Sequence, residues 1–178
     1  MGASPFHCYT MLRPNDDYIH RLIETVNNSP FPRHLPMKLI SIELDRAVVA
    51  CETATCHLQP FGIVHGGVLA TLIDTATFWS VFMRLPQDAG LVNIDLKLNY
   101  LRPVSNGTIT ARGECIRSGR AISYAEARVA DSTGKLIAHG TSTLMALPGK
   151  GLHLGVEKFI EDKGGVPMND SDKKEVDA

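Results

Sequence analysis

Gly62-Ile63-Val64-His65-Gly66-Gly67-Val68-Leu69-Ala70-Thr71-Leu72-Ile73-Asp74-Thr75-Ala76 is the stretch that decides how this chain folds. Gly66 and Gly67 open a helix that the apolar run carries to about Leu85, where Pro86 and Gly90 close it. Asp74 is the one charged residue between Gly66 and Met83. Gly67, Ala70, Thr71, Asp74, Thr77, Phe78 and Val81 share one side of that helix. Val68, Leu72, Ile73, Ala76 and Trp79 make an apolar stripe on the other. A helix apolar nearly all round is buried, so the rest of the chain must enclose it.

The flanks read as strands. Residues 37–44 and 47–55 form two, with Asp45-Arg46 as a tight turn between them, and residues 57–65, with Pro60 and Gly62, form a loop. Beyond the helix, residues 91–101 alternate. Val92, Ile94, Leu96, Leu98 and Tyr100 take one face; Asn93, Asp95, Lys97 and Asn99 take the other. Turns at Ser105-Asn106-Gly107, Ser118-Gly119 and Asp131-Ser132-Thr133-Gly134 introduce strands at 108–117, 120–130 and 135–147. Three successive hairpins predict a continuous antiparallel meander. Ahead of all this, Pro14-Asn15-Asp16-Asp17 opens a short helix with Ile19, Leu22, Ile23 and Val26 on one face. Pro30, Pro32 and Pro36 then mark a loop. The predicted class is α+β: a curved antiparallel sheet wrapped around one long central helix, plus an N-terminal helix. Residues 1–35 form an arm and helix, 36–148 the domain, and 149–178 a flexible polar tail.

Composition narrows the function. The chain has 178 residues, 44% of them hydrophobic and 21% charged, with a net charge of −1. That is one ordinary domain with no basic field to hold nucleic acid or anionic lipid. Cys8, Cys51, Cys56 and Cys115 show no metal-binding or disulfide spacing, so they read as reduced thiols of an intracellular protein, and no metal is expected. No secretory signal is visible, and Phe6 stands where a myristoylation motif wants Ser or Thr. Arg13 and Arg21, beside Asp16 and Asp17, make a poor mitochondrial presequence. A cytoplasmic location is expected, with the mitochondrion open as a second address. The apolar run at 68–83 is shorter than the ~20 residues of a membrane span and holds Asp74, so no membrane span is expected.

Two features of the central helix carry chemistry. A carboxylate within apolar surroundings is costly unless it is paired or hydrogen-bonded, so Asp74 is either held by Thr71, Thr77 or a backbone group as a core feature or kept for a reaction. A Gly-Gly helix start either makes a sharp turn or leaves backbone N–H groups at the positive dipole end, open to a phosphate or a developing oxyanion. Gly66 and Asp74 are eight residues apart, about 12 Å along a helix. An oxyanion donor and an attacking group must both lie within about 3–3.5 Å of one carbonyl. If both serve one substrate, they come from two copies of the chain, and at least a homodimer is required.

The His65-Gly66-Gly67 triplet with Asp74 and Ala76 at these offsets resembles the HGG-x6-D-x-A signature of hotdog-fold thioesterases of the phenylacetate-degradation (PaaI-like) type. The similarity continues through residues 96–103 and 131–147. The resemblance implies hydrolysis of an acyl-CoA thioester, with coenzyme A as part of the substrate and no separate cofactor. It implies Gly66 as oxyanion donor, Gln59 as an assisting amide, and Asp74 donated by the neighbouring subunit, either as general base on water or as a directly attacking nucleophile. By the same resemblance Asn93 falls where a small polar residue, often Ser or Thr, positions water; by its alternation it is equally a solvated side chain. His65 is a general base or, as the family implies, an orienting residue. Gly67 permits close approach of the ligand. Arg117, Arg120 and Lys150, with Lys97 and Arg102 behind them, either reach coenzyme A phosphates or are solvated charges near turns. Phe61, Phe78, Trp79, Phe82 and Tyr100 line an acyl pocket or pack the core, the core being favoured for most. A tetramer built as a dimer of dimers follows by family analogy. The competing functions are a hotdog dehydratase or hydratase and a non-catalytic acyl-CoA-binding protein.

Overall fold

A computed structural model of the chain describes residues 12–162. In chain order it contains β1 (Leu12–Pro14), α1 (Asp16–Asn28), α2 (Pro30–His34), β2 (Met37–Glu43), β3 (Arg46–Glu52), α3 (Gly66–Phe82) and β4 (Gly90–Tyr100). Then come β5 (Thr108–Ser118), β6 (Ile122–Ala130), β7 (Leu136–Leu147) and β8 (Phe159–Glu161). An antiparallel sheet in the order β2-β3-β5-β6-β7-β4 packs around α3, which touches all six strands. This is the expected hotdog arrangement. None of the described helices is long and apolar enough to cross a membrane.

The enclosure of α3 follows from its residues. Leu72, Ile73 and Ala76 are fully buried, and burying an aliphatic side chain of leucine size contributes roughly 1.5–3 kcal/mol. Close approach requires Gly113 on β5, where a Cβ would lie 2.1 Å from the Ala76 carbonyl oxygen. At the far end, Arg84 forms a two-pronged pair with Asp45, which holds the β2–β3 turn at a positive φ of 69°. On β2, the Asn27 side chain of α1 accepts from Leu39 N–H (2.8 Å) and donates to Leu39 C=O (3.0 Å). A helix side chain thus completes the backbone of an edge strand.

Three expectations need correction. Residues 30–34 form a helical turn rather than a loop, since proline at the first position of a helix loses no hydrogen bond. The meander has two hairpins, not three: β4 does not pair with β5 but lies at the opposite edge against β7, from Gly90↔Leu147 to Tyr100↔Ala138. The chain returns through residues 101–107, where Val64 N–H meets Val104 C=O at 2.8 Å. An Asn-Gly turn reverses the chain but does not specify which strands pair.

The tail expectation also fails as far as the structure describes it. Past β7 the chain turns back beside α1 and the end of α3. Tyr18 hydroxyl donates to Leu152 C=O (3.3 Å) and Arg21 to Leu154 C=O (3.0 Å), and β8 pairs with β1. Lys158 is fully buried, its ammonium donating to Phe82 C=O (2.6 Å) and Leu85 C=O (2.9 Å) and lying 3.9 Å from the Phe82 ring centre. It caps the carbonyl end of α3, while burial pulls its pKa down to about 8. The residues expected in the arm at 1–11 and in the tail at 163–178 lie outside the described residues.

Candidate active site

His65 caps α3. Its Nδ1 accepts from Gly67 N–H at 2.9 Å, and its carbonyl accepts from Val68 N–H at 3.0 Å. Gly66 N–H, in that same turn, has no hydrogen-bond partner among the described residues. The histidine thus holds the first turn of the helix through Gly67 N–H and leaves one amide of the positive helix end open.

The structure brings Gln59 and Gly66 to one cavity. Both line an open cavity of about 420 Å³, with Ile63, Leu69, Tyr100 and Arg102 on its walls. Gly67 faces a different cavity, of about 540 Å³, shared with His57, His65 and Thr71. The two glycines thus line different cavities.

Asp74 is half-buried in the middle of α3. The threonines do not order its carboxylate: Thr71 donates to Gly67 C=O, and Thr77 to the carbonyls of Ile73 and Asp74. Asn93 does instead, its amide nitrogen lying 2.6 Å from Oδ1 and 3.3 Å from the Asp74 carbonyl oxygen. Burial pushes the Asp74 pKa up, and the Asn93 bond opposes that by favouring the ionised form. Asn93 Oδ1 is itself buried without a partner among the described residues.

A β-bulge explains why Asn93 is not solvated. Asn93 stands opposite Leu144 and Asp95 opposite Thr143, so Ile94 is an extra residue. Strict alternation puts Asn93 beside Asp95 and Lys97 on the polar face. The bulge changes the phase, turning Asn93 with Leu91 toward α3 while Leu96 and Leu98 still face inward further along. Val92 and Ile94 become the exposed residues, at 36% and 53%.

Arg117, Arg120 and Lys150 are exposed and line neither of these cavities. They lie toward the Gly90 end of β4, where a Cβ on Gly90 would meet the Lys150 carbonyl oxygen. Gly66 adjoins Tyr100, ten residues away and roughly 33 Å along a strand. Arg102, the weaker candidate by sequence, is the basic residue at the Gly66 cavity, and it also donates to Leu136 C=O at 2.8 Å.

The sequence offers Tyr100 only as one of five aromatics that line an acyl pocket or pack the core, not as a partner of the helix start. It is 56% exposed, lines the Gly66 cavity and donates its hydroxyl to Gly66 C=O at 3.1 Å. The period of β4 did carry a signal, placing Tyr100 on the face of Leu96 and Leu98. Phe78, one turn beyond Asp74, is partly buried and stacks edge-on to Trp79 at 4.8 Å.

Gly66 and Asp74 thus lie at different places on one helix, each with its own supporting residues. The description "Thioesterase superfamily" belongs to the family model that matches residues 61–138. A 1,4-dihydroxy-2-naphthoyl-CoA hydrolase of Listeria monocytogenes is 29% identical over 108 residues, covering 61% of this chain and 88% of that protein. Mouse acyl-coenzyme A thioesterase 13 is 27% identical over 107 residues, covering 59% and 76%. Among solved structures, a Haemophilus influenzae thioesterase matches with a TM-score of 0.70 at 28% identity, over 78% of this chain and 96% of its own. A mutant of the phenylacetic acid degradation protein PaaI from Thermus thermophilus matches with a TM-score of 0.61 at 30% identity, over 67% and 100%.

Proposed function

As a member of the thioesterase superfamily, the chain, we propose, hydrolyses an acyl-CoA thioester to a carboxylic acid and free coenzyme A. The observation that carries this reading is the open Gly66 N–H at one end of a helix whose middle holds Asp74 against Asn93. The thioester oxygen lies at Gly66 N–H, with the Gln59 amide as second donor. Asp74 of a second copy takes a proton from water as the water oxygen attacks the carbonyl carbon. Collapse of the tetrahedral oxyanion breaks the C–S bond, and the proton passes to the departing thiolate. The unpartnered Asn93 Oδ1 supports the water route over direct attack, because a buried acceptor beside a carboxylate suits a bound water.

A homodimer supplies the missing half. β4 is an edge strand of eleven residues with its outer side unpaired within the described chain, an arrangement that invites pairing with another strand. Antiparallel pairing of two β4 strands brings the Gly66–Tyr100 end of one protomer beside the Gly90–Lys150 end of the other. Arg117, Arg120 and Lys150 of the partner then approach the coenzyme A side. A dimer of dimers has a candidate surface on the outer face of the sheet. There Ile122, Met145 and Val92 are aligned across three strands, and with Ile94, Ile116 and Tyr124 they are exposed. The thiols of Cys51, Cys56 and Cys115 are free, which suits a reducing cytoplasmic setting.

The test is thiol release from a panel of aryl and fatty acyl-CoAs, with the oligomeric state measured alongside. Wild type releases thiol as a dimer or larger, and Asp74→Asn stays folded and associated yet loses most turnover. Absence of thiol release over the whole panel, or wild-type turnover by Asp74→Asn, overturns the reading. Enoyl hydration without thiol release identifies a hydratase.

A further inference from the structure

Resting on the thioesterase reading, we propose that Tyr100 is a positioning residue of the oxyanion site, and that position 66 is glycine because of Tyr100. A Cβ built on Gly66 would stand 2.8 Å from Tyr100 Cζ, 2.9 Å from its hydroxyl oxygen and 3.1 Å from Cε1. The phenol therefore occupies the space that a side chain at position 66 would take. The same hydroxyl donates to Gly66 C=O at 3.1 Å. One residue is thus bounded from two directions: a ring filling the space where its Cβ would stand, and a hydrogen bond at its carbonyl.

What this fixes is the direction of the free amide. Gly66 has no side chain to restrict its φ and ψ, and it is the first residue of α3, where no preceding turn holds the N–H. His65 constrains the chain before it through the bond to Gly67 N–H. Tyr100 constrains it from β4, a separate element braced along its length by β7. A donor that points correctly before substrate arrives needs no reorganisation during reaction. Tyr100 is also largely exposed, so burial alone does not account for a hydroxyl held at this spot.

Tyr100→Phe removes the hydrogen bond and keeps the ring. It lowers kcat roughly three- to tenfold, the effect of one ordinary hydrogen bond, with KM within about twofold. Tyr100→Ala removes both constraints and approaches the ~10²-fold loss of a missing oxyanion donor. Gly66→Ala acts by pushing the phenol aside, since the colliding atoms are the far end of a side chain. Its effect therefore overlaps that of Tyr100→Ala, and the double variant is no slower than the slower single. A substrate-independent readout accompanies the kinetics: in ¹⁵N-glycine-labelled protein, the Gly66 amide signal shifts and its hydrogen exchange quickens in Tyr100→Phe.

Wild-type kcat in Tyr100→Phe, or a change confined to KM, overturns the proposal. So does a double variant whose losses multiply, because the added Cβ then obstructs substrate rather than Tyr100. Failure of the thioesterase reading looks different: wild type releases no thiol while the Gly66 amide still responds to Tyr100→Phe.

Discussion

Replacing Asn93 with Ala tests the electrostatic design of the site. In the wild type two influences act on Asp74. Burial favours the neutral acid, and the 2.6 Å bond from Asn93 favours the carboxylate. A general base works only when ionised, so activity falls on the acid side as Asp74 gains its proton, and its raised pKa places that limb above the usual carboxylate range. Asn93→Ala removes the one influence that lowers the pKa and leaves burial unopposed. The acid limb of kcat/KM therefore moves to higher pH. A hydrogen bond to a charged group contributes about 1.5–3 kcal/mol, which corresponds to about 10–100-fold in rate below the limb.

The assay is kcat/KM for a cleaved acyl-CoA from pH 5 to pH 9, with unfolding midpoints confirming that the variant is native throughout. The wild-type to variant ratio is greatest at low pH and narrows as the buffer becomes alkaline. Any residual gap at high pH reports the loss of Asn93 Oδ1 from the water. Asn93→Asp adds a like charge beside Asp74 and moves the limb in the same direction. A ratio that is constant across the range, or a limb displaced to lower pH, refutes the assignment of Asn93 as the group that keeps Asp74 ionised.

Other consequences concern stability. Because the folded-state pKa of Asp74 is raised, its stabilising effect is complete below the unfolded value and is lost as pH rises through the folded one. Asp74→Asn therefore unfolds at higher temperature than wild type at pH 8, with a smaller difference at pH 4, despite its loss of turnover. For Lys158 the lowered pKa means that the folded state binds fewer protons than the unfolded state between about 8 and 10.5. Stability attributable to this group rises with pH across that window, and Lys158→Met flattens the rise in denaturant midpoints measured at pH 7.5 and 9.5. Gly113→Ala drives a Cβ into the Ala76 carbonyl, an overpacking expected to cost at least 1–3 kcal/mol, read as a lower denaturant midpoint.

The helix and its chemistry were legible because each announces itself locally. Asp74 stands alone in an apolar run, and a Gly-Gly pair opens it, so the burial of the helix and its lone charge follow from one short stretch, and the proposed sharing of a site between two copies is argued from the same residues. The pairing of β4 with β7 was not legible, since a turn signal at Ser105-Asn106-Gly107 describes a reversal and contains nothing about partners 38 to 57 residues apart, from Tyr100↔Ala138 to Gly90↔Leu147. The fold of residues 149–162 was hidden by composition. Glycine and charge suggested a solvated tail, whereas Lys158 is held by carbonyls that become available only once α3 ends beside it.

The least legible feature is the one on which most depends. Ile94 as an extra residue in β4 leaves the sequence looking like an uninterrupted alternating strand. Were all eleven residues of β4 in regular alternation, a side chain at 93 facing α3 and side chains at 96 and 98 facing α3 would be incompatible, because positions an odd number apart lie on opposite faces. The bulge permits both. It delivers Asn93 to Asp74 while Leu96 and Leu98 stay against the helix and Tyr100 reaches Gly66. It also turns Ile94 outward among the exposed apolar residues of the sheet's outer face. The bulge thus reconciles the carboxylate's partner with the tyrosine at the helix start and adds part of the candidate assembly surface. Deleting Ile94 therefore puts Asn93 and Leu96 two positions apart in a regular strand, and the variant is expected to keep both the Asp74–Asn93 and the Tyr100–Gly66 bonds while losing only the bulge and its exposed side chain.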